Sequence, residues 1–144
     1  MNDLAPDAGP PDITRIVCLE DSDADADIIE RAVREASSRV SLTRVRRTAT
    51  FLDAFESVAA GEVSVADGVI LDLSLVDGSG FEVLRVVRHL FDRRELPVAV
   101  LSGGLSTEEM YRAYSLGANV ALTKPMRFRE YVQKLTGLCS LFDR

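Results

Sequence analysis

Asp67-Gly68-Val69-Ile70-Leu71-Asp72-Leu73-Ser74-Leu75-Val76-Asp77-Gly78-Ser79-Gly80 is the stretch on which the reading of the fold turns. Val69 to Leu71 is a short run apolar on both faces, the pattern of a strand buried in a parallel sheet. It ends on a carboxylate, Asp72, and passes into a loop of Gly, Ser and Asp. In open α/β sheets, ligands bind in the crevice beyond the carboxyl ends of the strands. An aspartate delivered there is either a reactive group or a turn former, and one strand end does not decide between them. The other strand ends do.

Upstream, Ile13 to Leu19 forms a first strand whose core, Ile16 to Leu19, is continuously apolar and ends on Glu20 and Asp21. Ser22 caps a helix, with Asp25 three positions on and Asp23 and Asp27 favourable near the positive end of the dipole. Ile28, Ile29, Ala32, Val33 and Ala36 give that helix one apolar face. Val40 to Arg46 alternates as a half-exposed strand does, which suits a sheet edge. Thr50 and Asp53 read as the capping pair of a second helix running to about Ala60, with Phe51, Leu52, Phe55 and Val58 on its buried side and Gly61 ending it.

Downstream, Ser79 with Glu82 repeats the capping pattern for a third helix carrying Phe81, Val83, Leu84, Val87, Leu90 and Phe91. Pro97 opens a fourth strand, Val98 to Leu101, which terminates in Ser102-Gly103-Gly104. Ser106 and Glu109 form a capping box for a fourth helix ending near Gly117. Asn119 to Thr123 is a fifth strand finishing in Thr123-Lys124-Pro125, and a last helix runs from about Arg127 to Phe142. Five strands alternating with five helices predict a single α/β domain, a doubly wound five-stranded parallel sheet with helices on both faces. Residues 1–12, with Pro6, Gly9, Pro10 and Pro11, read as a flexible N-terminal tail.

The chain of 144 residues is the size of one domain, with 47% hydrophobic and 28% charged residues, ordinary for a globular protein. Its 17 basic and 23 acidic side chains give a net charge of −6, which argues against direct nucleic-acid binding. No apolar run approaches a membrane span, and the start lacks a basic-then-apolar signal pattern, so no membrane association and a cytoplasmic location are expected. Cys18 and Cys139 lack metal-type spacing and are expected to be buried thiols.

Side by side, these strands collect Glu20, Asp21, Asp72, Ser102 and Lys124 at one edge of the sheet. Three carboxylates in one crevice repel unless a cation neutralises them, and hard oxygen donors suit Mg²⁺ better than a transition metal. With Mg²⁺ on Glu20 and Asp21, the Asp72 carboxylate can attack a phosphoryl group as an oxygen nucleophile. Ser102 can donate its hydroxyl to a phosphoryl oxygen, and the Lys124 ammonium can balance the charge from the other side. Pro125 offers a cis peptide bond as a device for aiming Lys124, against the trans form usual for X-Pro bonds.

The ordered set Glu20-Asp21, Asp72, Ser102 and Lys124-Pro125, one group after each of four strands, resembles the receiver domain of bacterial two-component response regulators. The resemblance covers residues 13–144. Leu19-Glu20-Asp21-Ser22 with Asp25 and Ala26 further resembles stand-alone receivers paired with phytochrome-type sensor kinases. The resemblance implies a flavodoxin/CheY-like fold with strand order 2-1-3-4-5. It implies a Mg²⁺ site made by Glu20, Asp21, Asp72 and the Ser74 backbone carbonyl. It also implies that Asp72 accepts a phosphoryl group from a sensor histidine kinase, that Ser102 follows the phosphate and that Lys124 pairs with it. The loop to Gly80 fits the family's spacing. With no output domain after the last helix, the expected action is altered protein–protein binding, that of a signalling protein in a phosphorelay rather than of an enzyme.

There are departures from the family's pattern. Val76 stands where a proline is common, so a less rigid loop after Asp72 is expected. Ala121 stands where an aromatic often swings inward, which puts the usual aromatic readout in doubt. Ser74 and Gly104 are small at positions that elsewhere shield or orient the hydrolytic water, leaving the phosphoryl lifetime open. Two alternatives compete with the phosphoacceptor reading. One is a receiver-like interaction module that takes no phosphate; the other is a Mg²⁺-dependent aspartyl-phosphate phosphatase, which would need a second aspartate where Ser74 stands.

His89 reads as a surface or boundary residue, and Arg44, Arg46, Arg47, Arg93 and Arg94 read as solvated faces. Phe128, Tyr131, Val132, Leu135, Leu138, Cys139, Leu141 and Phe142 are more apolar surface than one packing face of the last helix needs. Two readings stand for it. It is a core helix with a hydrophobic end, or it joins the fourth helix and fifth strand in a homodimer or partner surface to which Tyr111 and Tyr114 contribute.

Overall fold

The computed structural model describes residues 13–61 and 66–143. The tail expected over residues 1–12 and the packing role expected of Val58 lie outside the described residues. In chain order the elements are β1 (Thr14–Leu19), α1 (Asp23–Ala36), β2 (Val40–Val45), α2 (Thr48–Ala59), β3 (Gly68–Leu71), β4 (Ser74–Leu75), β5 (Gly78–Ser79), α3 (Gly80–Leu90), β6 (Val98–Ser102), α4 (Thr107–Ser115), β7 (Val120–Thr123) and α5 (Phe128–Phe142). One five-stranded sheet has the order β2-β1-β3-β6-β7, every neighbouring pair parallel. With the two-residue strands set aside, this is the order 2-1-3-4-5. Those two strands form a small antiparallel hairpin in the loop after Asp72, which the sequence reading did not anticipate.

The continuous apolar runs follow from the layering. Successive strand residues point to opposite faces, and here both faces are covered. Val17, Leu19, Val69, Leu71, Val98 and Val100 pack with Phe51, Phe55, Leu84, Val87 and Phe91 in one buried cluster. Ile16, Cys18, Ile70, Ala99 and Leu101 pack with Ile29, Val33, Leu135, Leu138 and Phe142 in the other. Cys18 is buried as expected, whereas Cys139 is half-buried at the margin of this second cluster.

The capping chemistry expected of α1 and α4 is present. The Ser22 hydroxyl accepts from Asp25 N–H, and Ser106 with Glu109 makes a complete capping box. Ser79 caps α3 through Phe81 N–H. The expectation for α2 is corrected: the helix starts at Thr48, so Thr50 and Asp53 lie inside it. Its first turn is satisfied from a distant loop, Asp77 accepting from Thr48 N–H at 2.9 Å and from the Thr48 hydroxyl at 2.7 Å. A cap supplied across 29 positions leaves no local signature.

Gly80 is required by close approach. A Cβ there would lie 2.2 Å from the Asp72 carbonyl oxygen and 2.6 Å from Leu73 Cα, both backbone atoms unable to step aside. The start of α3 is thereby pressed against the chain leaving β3.

At the opposite end of the sheet one arginine gathers several carbonyls. Arg88 is half-buried and donates to the carbonyls of Gly117 (2.7 Å), Leu96 (2.8 Å), Phe91 and Asp92 (both 3.2 Å) and to Asn119 Oδ1 (2.8 Å). Arg93, exposed as expected, donates to the Tyr114 and Gly117 carbonyls, whereas Arg44, at the site end of β2, is only partly exposed and donates to the Glu20 carbonyl. Burial lowers the Arg88 pKa to about 10, still far above neutrality. His89 is exposed, as read. Arg88→Met should lower the unfolding free energy by about 3 kcal/mol in urea titrations, because several buried carbonyls lose a charged donor at once. Arg88→Lys should not restore it, since one ammonium cannot span the planar fork.

Candidate functional site

Parallel register levels the strand ends. Leu19 pairs with Leu71, Leu71 with Val100, and Ser102 with Thr123, so the residues that follow emerge together at one edge. Asp72 N–H donates to the Leu19 carbonyl and Lys124 N–H to the Ser102 carbonyl, which extends the ladder into the site. Glu20, Asp72 and Ser102 are all buried.

The Asp72 carboxylate is fully engaged. Its Oδ1 accepts from the Ser102 hydroxyl at 2.7 Å and from Ser74 N–H at 3.1 Å, while Oδ2 accepts from Lys124 Nζ at 3.0 Å. Lys124 Nζ also lies 2.7 Å from Glu20 Oε1 and 2.7 Å from Asp25 Oδ2. Ser22 N–H donates to Glu20 Oε2 at 3.2 Å. Glu20 Oε1, although ion-paired at 2.7 Å, is out of line for a hydrogen bond and is a buried oxygen without a hydrogen-bond partner. Oxygens of Glu20, Asp21 and Asp72 lie within 4.8 Å of one another. Three hard anionic donors, one with an unsatisfied buried oxygen, fit a small divalent cation. The five side chains singled out from the sequence therefore come together, and Ser74 adds its N–H to them.

The loop after Asp72 gains a bond that a proline at position 76 would forfeit. Val76 has the N–H that a proline lacks, and it donates to Asp21 Oδ2 at 2.5 Å. The β4–β5 hairpin and the Asp77 bonds to Thr48 tie the same loop at two further places. The cis bond entertained at Pro125 is absent: no peptide bond among the described residues is cis. At Ala121, buried on β7, the backbone N–H donates to the Tyr114 hydroxyl at 3.1 Å, so a tyrosine from α4 contacts the strand at the position that lacks an aromatic. Sequence reasoning missed the Asp25 side chain, which it assigned only to helix capping, and the Val76 N–H, which carries no residue-type signal.

Electrostatics sets the three ionised groups apart. Burial pushes the Glu20 pKa up to about 7, with Lys124 only partly offsetting it. Burial also pushes Asp72 upward, but the bonds from Ser102, Lys124 and Ser74 outweigh it and leave the carboxyl below its ordinary value. Lys124 is depressed by burial and raised more strongly by Asp25, Glu20 and Asp72, so its net shift is upward. The signs follow by linkage. Ionised Glu20 costs stability once pH rises towards and past about 7. Asp72 contributes stability above the ordinary carboxylate range and loses it as pH falls further. Lys124 contributes fully below the ordinary lysine value. Lys124→Met should therefore destabilise the metal-free protein by about 3 kcal/mol at pH 8. In urea titrations the penalty should shrink at pH 6, where Glu20 takes up a proton.

Residues 16–136 match the family described as the response regulator receiver domain. The cell cycle response regulator CtrA of Brucella ovis is 31% identical over 121 residues, which cover 84% of this chain and 48% of that protein. The chain thus spans about half the length of the curated relatives it matches. A response regulator receiver domain from Rhodospirillum rubrum is 30% identical with a TM-score of 0.76, covering 90% of this chain and 93% of that one. A response regulator in red light signaling of R. palustris is 28% identical with a TM-score of 0.78, over the same shares. The phosphorylated cyanobacterial phytochrome response regulator RcpA is 25% identical with a TM-score of 0.74, covering 90% of this chain and 94% of that one. No helix among the described residues is long and apolar enough to cross a membrane. With the family match running from β1 into α5, the chain belongs to the response regulator receiver domains.

Proposed function

We propose that this chain is a phosphoacceptor of a two-component phosphorelay and that Asp72 takes the phosphoryl group from a sensor histidine kinase. The observation that carries the reading is the buried Asp72 carboxylate, held on one oxygen by Ser102 and Ser74 and on the other by Lys124, beside Glu20 and Asp21. Nothing else among the described residues combines a nucleophilic oxygen, a cationic partner and an acidic cluster.

In the step, an Asp72 carboxylate oxygen forms a bond to phosphorus while the P–N bond of the donor phosphohistidine breaks, and the imidazole leaves with the electron pair. The reaction needs mainly positioning and charge neutralisation. Lys124 keeps its ammonium beside the attacking carboxylate, and Ser102 offers its hydroxyl to a phosphoryl oxygen. Glu20, Asp21, Asp72 and the Ser74 carbonyl would hold Mg²⁺, which when bound would supply positive charge to offset that of the carboxylates and the phosphoryl group. Phosphorylation replaces one negative charge with about two and adds strong acceptors. Ser102 and Lys124, already bonded to Asp72, are the groups that respond first.

The domain on this reading occupies residues 13–144, works in the cytoplasm as a signalling protein and acts by altered protein binding. The phytochrome response regulator and the red light response regulator among its structural neighbours support a phytochrome-type kinase as the partner. A homodimer or partner surface on α4, β7 and α5 is supported by Tyr111, 72% exposed, and by the partly exposed Tyr114 and Leu141.

Intact mass after incubation with acetyl phosphate and Mg²⁺ tests the reading. The wild type should gain one phosphate, dependent on Mg²⁺, and Asp72→Asn should gain none. An adduct of equal extent in Asp72→Asn would place the chemistry elsewhere.

A further inference from the structure

Lys124 Nζ lies within 3.0 Å of three carboxylates, hydrogen-bonded to Asp25 and Asp72 and ion-paired with Glu20. Two belong to the acidic cluster, Glu20 and Asp72. The third, Asp25, stands outside that cluster in the first turn of α1, and its Oδ2 lies 2.7 Å from Nζ, nearer than the 3.0 Å to Asp72. The Lys124 side chain is 11% exposed and that of Asp25 35% exposed, so the pair sits at the mouth of the crevice, where solvent screens it only in part.

From this geometry we infer that Asp25 is a positioning residue for Lys124, one that competes with the phosphoryl group for the ammonium and so restrains loading of Asp72. The inference rests on the phosphoacceptor reading of Asp72. Because the Asp25 and Asp72 oxygens both bond the same nitrogen, they lie within about 6 Å of each other, close enough for charges of the same sign to interact appreciably. Two effects then have the same sign. Asp25 holds one donor of Lys124 away from an arriving phosphoryl group, and its own negative charge opposes an anionic donor at the mouth. A carboxylate only capping α1 would do neither. The cap here runs from Asp25 backbone N–H to the Ser22 hydroxyl and does not use the Asp25 side chain. Asparagine at this position therefore keeps the cap while removing the charge.

The test compares Asp25→Asn with Asp27→Asn. Asp27 lies on the same helix, exposed, and its carboxylate pairs with Arg31 at 3.7 Å. At saturating Mg²⁺, the rate of phosphate incorporation from acetyl phosphate, read by intact mass, should rise about fivefold in Asp25→Asn, as loss of a partly screened charge interaction predicts. In Asp27→Asn it should stay within about 1.5-fold of wild type, as expected for loss of an exposed pair. The Lys124 ammonium ¹⁵Nζ–¹H resonance of the unphosphorylated protein should shift in the first variant and not in the second. An unchanged or lower rate, an equal rise in Asp27→Asn, or an unmoved resonance in Asp25→Asn overturns the inference while leaving the phosphoacceptor reading intact. A wild type that takes up no phosphate overturns both.

Discussion

Three carboxylates crowd into one crevice with a single ammonium, and most of the molecule serves to hold them there. Left to water, these groups would separate. Here Glu20 and Asp72 are buried at the ends of adjacent strands, and the strands cannot shift without breaking two apolar clusters. The repulsion among the carboxylates is thus sustained by hydrophobic burial elsewhere in the domain. Lys124 offsets part of it; burial first, and the neighbouring Asp72 charge after it, push Glu20 up to about 7.

Local devices fix the geometry more finely than the sheet alone. Asp72 would be free to rotate at its strand end, but Ser102, Ser74 and Lys124 occupy both its oxygens. Gly80 lets α3 begin against the Asp72 backbone. The loop between them is tied to Asp21 through Val76 and to α2 through Asp77. The Asp77 carboxyl is held below its ordinary value by those Thr48 bonds, so the same contact that starts a helix also anchors the loop beside the site.

Much of this was legible in the residues. The apolar strands ending on Glu20, Asp72 and Ser102, and Lys124 after Thr123, fix both the layering and the edge at which chemistry gathers, because strand period and parallel pairing leave few alternatives. What was not legible depends on contacts distant in sequence. Asp77 capping α2, Arg88 gathering four backbone carbonyls and Asp25 turning to Lys124 are side-chain choices that no local pattern encodes. Val76 shows the limit most clearly: the missing proline was read as lost stiffness, yet the N–H it restores forms a bond to Asp21.

The crowded carboxylates fit a divalent cation, and on the proposed reading they bind one. The direct measurement is the thermal unfolding of metal-free protein at pH 8 as Mg²⁺ is added, for wild type and for Asp21→Asn. Asp21 is only half-buried, and asparagine keeps an acceptor for Val76 N–H. A saturable rise is expected in the wild type, worth about 1.4 kcal/mol at ten times the dissociation constant, and a much weaker one in the variant. No rise in the wild type, or the same rise in both proteins, would contradict it.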